Sequence, residues 1–190
     1  MGVDSCLAEA VIFPELIRYS ALQDRVEEAV VAASYMMRGL DGADFSIGRF
    51  QMKASFVESL ERRWMRSPLA GEMEIWFDTR TDSRMARKAR MDRLRDPFWQ
   101  CVYLACFLRL LYVDYPDLKE ETPAEQVRLC AAAYNHGIRW PKRPGMGNFE
   151  QIYEWTTQAS YHTDFLPSRD THYYIYSEIA VAHYLKIMVR

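Results

Sequence analysis

The sequence lacks several features that would assign a protein to a well-defined class. No apolar run is long enough to cross a bilayer, so no membrane-spanning helix and no stable membrane insertion are expected. The formal net charge is only −2, and a chain without an excess of basic residues is not expected to bind nucleic acid. Repeats and low-complexity tracts are missing too. Any partner must therefore be recognised by local patches of the surface.

Cysteine and histidine are scarce, and their spacing favours no metal site. The chain has four residues of each type, with no Cys-x-x-Cys pair and no histidine at the spacing of zinc ligands. We expect no metal and no other cofactor. Apolar helical contexts favour buried, reduced thiols, and one disulfide in an oxidising compartment is the alternative. The cysteines are Cys6, Cys101, Cys106 and Cys130.

What the chain does have is apolar residues at helical spacing. Of its 190 residues, 49% are hydrophobic, which is enough for one domain with a sizeable core. No Asn-Gly turn lies between alternating segments, so we expect an all-α fold. The most apolar helix is predicted over residues 98–112, at the centre of the core. Further helices are predicted over residues 21–37, 55–65, 124–135 and 175–188.

Residues 71–96 are dominated by charge. Arginine and lysine are interleaved with aspartate, and few large apolar residues interrupt them. Mixed signs favour an exposed helix with internal ion pairs over a surface for an anionic polymer. We expect this segment to be an exposed insertion within a single domain that covers residues 1–190.

An apolar run near the start of the chain ends on one carboxylate, Glu15. The apolar positions of residues 7–11 share one helical face, and Asp4 or Ser5 can cap the start of the helix. Both the helix dipole and apolar neighbours disfavour ionisation at such a helix end, so the pKa of Glu15 is expected to be raised. The group could then deliver a proton near neutral pH. An ordinary exposed glutamate is the alternative.

Four stretches carry motifs in a fixed order: VDSCLAEAVIFPE at 3–15, FSIGRFQMK at 45–53, CAAAYNHGIRW at 130–140 and DTHYYIYSEI at 170–179. They resemble V-D-P-x-L-x-x-A-V-I-x-x-E, G-A-x-G-L-M-Q, A-x-A-A-Y-N-x-G and E-T-x-x-Y-V of the lytic transglycosylase family in the goose-type lysozyme superfamily. Asp96-Pro97 followed by Gln100 also resembles the D-P-x-x-N-I start of that family's buried helix, with glutamine for asparagine.

The resemblance implies a lysozyme-like helical domain and a peptidoglycan lytic transglycosylase whose single catalytic residue is Glu15. Such an enzyme cleaves the β-1,4 bond between N-acetylmuramic acid and N-acetylglucosamine and leaves a 1,6-anhydro product. Its partners would be peptidoglycan glycan strands, and its location would be periplasmic or secreted, with the leader removed. The residues expected around the substrate are Gly48, Phe50, Gln51, Tyr134, Asn135, Tyr174 and Ser20.

The chain departs from the family pattern near these motifs. Leu16 follows the glutamate where the family usually has serine, Phe45 replaces a glycine and Arg49 replaces a leucine. The gap between Glu15 and Gln51 is also longer than is usual in the family. Two other functions therefore stay open: a non-catalytic member of the fold that binds glycan or protein, and a muramidase-type hydrolase.

Individual residues also have alternatives. Glu9 is a weaker candidate for the acid, because choosing it would break the match at the start of the motif. Arg18, expected near Glu15, suits a surface ion pair as well as a substrate. For hydrolysis, Asp41 or Asp44 would be the second carboxylate. A register shift of one residue would exchange Tyr174 for its neighbouring tyrosine.

Overall fold

A computed structural model describes residues 2–18, 34–39, 46–79, 83–137, 140, 145, 147, 149–157, 160–162 and 172–189. Of these residues 76% are helical, which confirms the all-α class. The chain forms two compact units, and each is described by itself. The first unit contains Glu15–Leu110, and the second contains Gly2–Pro14 with Leu111–Arg190.

Four helices lie within two residues of their predicted bounds, whereas the shorter helices Leu69–Glu72 and Phe149–Thr156 were not predicted. The helices are α1 Ser5–Arg18, α2 Ala54–Met65, α3 Leu69–Glu72, α4 Arg84–Arg95, α5 Pro97–Asp114, α6 Pro123–His136, α7 Phe149–Thr156 and α8 Tyr176–Met188. A 3₁₀ helix covers Pro116–Glu120. Residues 34–38, at the end of the helix predicted over 21–37, are helical as well, and the rest of that prediction, 21–33, lies outside the described residues.

Two short antiparallel hairpins were not predicted. Strand β1, Ser46–Ile47, pairs with β2, Met52–Lys53, in the first unit. Strand β3, Ser160–His162, pairs with β4, His172–Tyr174, in the second. Strands of two or three residues are too short to show an alternating apolar pattern, so periodicity has nothing to detect.

Helix α1 begins at a side-chain cap. Asp4 Oδ1 accepts a hydrogen bond from the Leu7 N–H at 2.8 Å, so Asp4 rather than Ser5 is the cap. Pro14 lies inside the helix, where it has no N–H to donate. The helix nevertheless continues to Arg18 and carries Glu15 in its last turn.

The core of the first unit is built from α2, α4 and the first part of α5. Helix α5 supplies fully buried rings and aliphatic side chains, as predicted for the most apolar segment. The buried side chains of this core include Val57, Leu60, Trp64, Met91, Leu94, Tyr103, Phe107 and Leu110. Because α2 leads directly out of β2, the same core also supports the first hairpin.

Helix α4 corrects the prediction that residues 71–96 are exposed. Arg90, Met91 and Leu94 on one face of this helix are buried, and so is Phe77 before it. The opposite face is exposed and carries the predicted kind of ion pair, Lys88 Nζ to Asp92 Oδ2 at 2.7 Å. Exposure was wrong for the first face because carboxylates of α2 compensate the buried charge of Arg90.

The second unit is organised around α6, which packs against α7 and α8. The Tyr176 hydroxyl donates to the Val11 carbonyl at 3.1 Å and so ties α8 to the N-terminal segment of this unit. The Ser177 hydroxyl donates to the Thr156 carbonyl at 3.0 Å and ties α8 to α7. Among the helices that the structure describes, none combines the length and apolar character needed to cross a membrane.

Candidate active site

Glu15 is the predicted catalytic acid, and the structure places it in the last turn of α1 with only 7% of the residue exposed. The alternative of an ordinary exposed glutamate is therefore wrong. The Arg18 guanidinium donates from Nη1 to Glu15 Oε2 at 3.4 Å. Removal from water favours the neutral acid, whereas the guanidinium favours the carboxylate.

Glu9, the competing candidate, has an ordinary surface setting in the second unit. Its side chain is 56% exposed, and Oε1 lies 2.9 Å from Nε2 of His183. The His183 ring stacks on Phe13, with 3.5 Å between the ring centroids. This arrangement accounts for Glu9 as a surface partner of α8 and gives it no apolar shield.

The loop predicted to hold the substrate is the turn between β1 and β2, residues 48–51, called the glutamine turn below. Gly48 has φ +70°, and Gln51 has φ +50°. The backbone N–H of Gln51 donates to the Gly48 carbonyl at 3.0 Å, and Gln51 Nε2 donates to the same oxygen at 2.9 Å. The half-buried Gln51 side chain is thus folded back over its own turn, with Oε1 left as its acceptor.

Gln100 of α5 contacts the glutamine turn, and sequence reasoning missed this role. Its Oε1 accepts a hydrogen bond from the N–H of half-buried Phe50 at 3.1 Å. A Cβ at Gly48 would lie 1.6 Å from Gln100 Nε2, so only glycine fits there. The signal in the sequence was Gln100 itself, four residues after Asp96 at the start of a helix.

Tyr134 and Asn135 lie in the last turn of α6, in the second unit. Tyr134 is buried, with 8% exposed, and Asn135 is half-buried. Gly137 follows the helix with φ +70°, the backbone that ends helices most readily at glycine. The ring of His136 stacks on Trp155, with 5.5 Å between centroids, and burial lowers the pKa of His136.

Two predicted substrate residues, Tyr174 and Ser20, lie partly or wholly outside the described residues. Tyr174 lies in β4, where it pairs with Ser160, and its side chain is outside the described part of the chain. Ser20 falls outside the described residues, as do Asp41 and Asp44. The structure therefore brings Glu15 and the glutamine turn into the first unit and places Tyr134 and Asn135 in the second.

A cluster of buried ionisable side chains in the first unit was not predicted. This buried ionic cluster consists of Tyr35, Glu58, Glu61, Arg90, Arg93 and Tyr103. Glu61 is 0% exposed and accepts three hydrogen bonds. They come from Arg90 Nε at 2.8 Å, Arg93 Nη2 at 2.7 Å and the Tyr103 hydroxyl at 2.6 Å.

Glu58 completes the cluster one helical turn before Glu61. Its Oε2 accepts from the Tyr35 hydroxyl at 3.1 Å and from Arg90 Nη1 at 3.4 Å. Burial raises the pKa of Tyr35 to about 12 and that of Tyr103 further, so both phenols keep their protons. Glu58 also pairs with Arg62 Nη1. The two buried carboxylates therefore face the buried Arg90 and the partly exposed Arg93 and Arg62, and the ion pairs of Arg90 and Arg93 join α2 to α4.

The cysteines are free thiols. Cys106 and Cys130 are buried, and burial raises the pKa of each thiol to about 12. Cys6 is half-buried and Cys101 is exposed, so the prediction that all four are buried was wrong for these two. Cys101 sits on α5, whose apolar character extends nearly all round, which hides from the sequence which face is covered.

No protein-family model, curated protein or solved structure matches this chain. Its function is therefore inferred from its own residues. Within the described part of the chain, histidine, cysteine, aspartate and glutamate form no group of three or more that could hold a metal ion. The chemistry that these residues offer is proton transfer at a shielded carboxyl and amide recognition at the glutamine turn.

Proposed function

We propose that this protein is a peptidoglycan lytic transglycosylase with a lysozyme-like helical fold, acting in the periplasm or outside the cell. The observation that carries the proposal is the burial of Glu15 at the end of an apolar helix, with Arg18 as its ion-pair partner. The ordered glutamine turn and the mainly helical fold support it. So do the four stretches that resemble the family.

In the first step, the neutral carboxyl of Glu15 donates its proton to the glycosidic oxygen between N-acetylmuramic acid and N-acetylglucosamine. The bond from muramic acid C1 to this oxygen breaks, and its electron pair stays with the oxygen of the leaving sugar. The muramic acid ring becomes oxocarbenium-like. Burial favours the neutral form of Glu15 before this step, and Arg18 stabilises the carboxylate that the step produces.

In the second step, the Glu15 carboxylate takes the proton of the C6 hydroxyl of the same muramic acid. The C6 oxygen then bonds to C1 and closes the 1,6-anhydro ring. Glu15 recovers its proton, and no water is consumed. One carboxyl suffices for both steps, whereas an inverting hydrolase uses a second carboxylate at roughly 6.5 to 9.5 Å to direct a water.

The glutamine turn supplies substrate recognition in this proposal. Because Gln51 Nε2 already donates to the Gly48 carbonyl, Oε1 accepts the hydrogen bond of a sugar acetamido N–H. Gly48 lets the backbone approach closely, and the half-buried Phe50 belongs to the same turn.

The test is mass spectrometry of the soluble products released from purified peptidoglycan sacculi. The wild type should release muropeptides with 1,6-anhydro ends, and Glu15→Gln should release none while keeping the far-ultraviolet circular dichroism of the folded protein. The matched control is Glu9→Gln on the same helix, which should retain activity because Glu9 is exposed and paired with His183.

Other outcomes would assign another function. Products with reducing ends would indicate a muramidase-type hydrolase instead of a lyase. Sedimentation of the protein with insoluble peptidoglycan, without release of any fragment, would indicate a non-catalytic binding protein. Unchanged product release by Glu15→Gln would remove Glu15 from the chemistry.

A further inference from the structure

Gln100 connects the glutamine turn to two helices of the first unit. The residue is 1% exposed and lies in the first turn of α5. We propose that Gln100 is a positioning residue that sets where Gln51 meets the glycan, an inference that rests on the transglycosylase function proposed above. It acts through the turn and makes no contact with the sugar.

Both polar atoms of the Gln100 carboxamide form hydrogen bonds. Oε1 accepts from the Phe50 N–H at 3.1 Å, and Nε2 donates to the Leu94 carbonyl. That carbonyl lies in the last turn of α4, where the helix has no later N–H to satisfy it. The N–H of Phe98, four residues on, donates instead to Asp96 Oδ1 at 2.8 Å. One side chain therefore joins the turn to the end of α4.

Gly48 allows the turn to lie against the Gln100 side chain. A Cβ at this position would lie 1.6 Å from Gln100 Nε2 and 3.0 Å from the Leu94 carbonyl oxygen. The backbone of the turn consequently lies directly against the amide. Its φ of +70° is also accessible to glycine at little cost.

The backbone of Gln100 is set independently of the turn. Asp96 accepts the Gln100 N–H at 3.0 Å through its carbonyl and caps the helix through its side chain. Pro97 begins the helix with a fixed φ. An amide is required at position 100, since an apolar side chain of the same length would leave the Phe50 N–H and the Leu94 carbonyl without this partner.

The consequence for the substrate follows from the geometry of Gln51. Two hydrogen bonds from Gln51 to the Gly48 carbonyl make its carboxamide part of the turn, so a tilt of the turn moves the carboxamide with it. The proton transfers of Glu15 do not involve this group. Loss of the Gln100 hydrogen bonds should therefore weaken glycan binding and leave the chemical steps as they are.

The experiment compares Gln100→Met with the wild type on a soluble glycan strand of alternating N-acetylglucosamine and N-acetylmuramic acid. We expect KM to rise by roughly tenfold to a hundredfold, because a displacement of about 1 Å can cost about a hundredfold. kcat per folded molecule and its pH profile should stay constant. Hydrogen exchange at the Phe50 amide should become faster.

The matched control is Ser177→Ala, which removes a buried hydrogen bond to the Thr156 carbonyl in the second unit. This variant should lose stability without any change in KM. If the methionine variant does not fold, Gln100→Glu is the second variant. It keeps the acceptor for Phe50 and loses the donor to Leu94, and KM should rise here too.

The outcomes separate this inference from the proposed function. A wild type that releases no 1,6-anhydro product removes both. An active wild type whose Gln100 variants keep the wild-type KM overturns the inference alone. A fall in kcat at constant KM also overturns it, because that pattern reports a smaller folded fraction and not a displaced turn.

Discussion

Replacing Arg90 with methionine tests the buried ionic cluster directly. The Arg90 side chain is 5% exposed, bonds to Glu61 at 2.8 Å, and also reaches Tyr35 and Glu58. Methionine fills much of the same space but carries no charge. Glu61 keeps Arg93 and Glu58 keeps Arg62, whose side chains are 21% and 45% exposed, so only partly exposed guanidinium groups then face the two buried carboxylates.

The burial of Arg90 sets the expected magnitude of the loss in the free energy of unfolding. Removing one member of a buried pair costs about 3 to 5 kcal/mol of the free energy of unfolding, here because the buried carboxylates lose their buried counter-charge. For a chain of this size, about 2 to 4 °C of melting temperature accompany each kcal/mol, so the midpoint should fall by roughly 6 to 20 °C. Urea unfolding followed by circular dichroism measures the first quantity, and a thermal scan measures the second.

Lys88→Met on the same helix is the matched control. Lys88 and Asp92 form an ion pair of similar length, 2.7 Å, but their side chains are 64% and 56% exposed. Such a pair on a helix surface contributes about 0.3 to 0.5 kcal/mol, because water screens both charges. If Arg90→Met cost no more than Lys88→Met, burial of the cluster would not determine its contribution, and the reasoning would be refuted.

Three further predictions concern the turn, the thiols and a histidine. Gly48→Ala should cost about 1 to 2 kcal/mol or more in urea unfolding, because alanine disfavours its φ of +70°. Gly71→Ala, where a Cβ would meet nothing within 4 Å, should cost much less, and equal losses would contradict the close packing at Gly48. Near pH 8, a thiol reagent should reach Cys106 and Cys130 only after unfolding, since burial raises the pKa of each to about 12. Reaction of all thiols in the folded protein would count against that burial. Partial burial also lowers the pKa of His136, so its imidazole should protonate at lower pH than a freely solvated histidine in a proton NMR titration assigned with His136→Asn. The unfolded chain binds this proton more readily, so stability should fall as the pH drops through this range, and a titration at or above the ordinary histidine pKa would be contrary to the structure.

Local pattern in the sequence was enough for much of the fold. Apolar spacing predicted α2, α5, α6 and α8 within about two residues of their bounds, because a buried helix face needs an apolar side chain every three or four residues. For Glu15, the apolar run that precedes it left two interpretations open, a shielded acid and an exposed glutamate, and the structure shows that the residue is buried. The helices depend on residues close together in the chain.

What tertiary structure decided depends on partners far apart in the chain. Arg90 looked like one more exposed cation, and its partner Glu61 lies 29 residues away on another helix. Gln100 looked like one polar residue in an apolar helix, and it meets Phe50 across 50 residues. A charge or an amide is stable in the interior only when a partner compensates its lost water, and periodicity does not say which distant residue that partner is. The sequence by itself therefore determined the longer helices, whereas the tertiary structure decided that Glu15 is shielded, which other polar side chains are buried and what they hold in place.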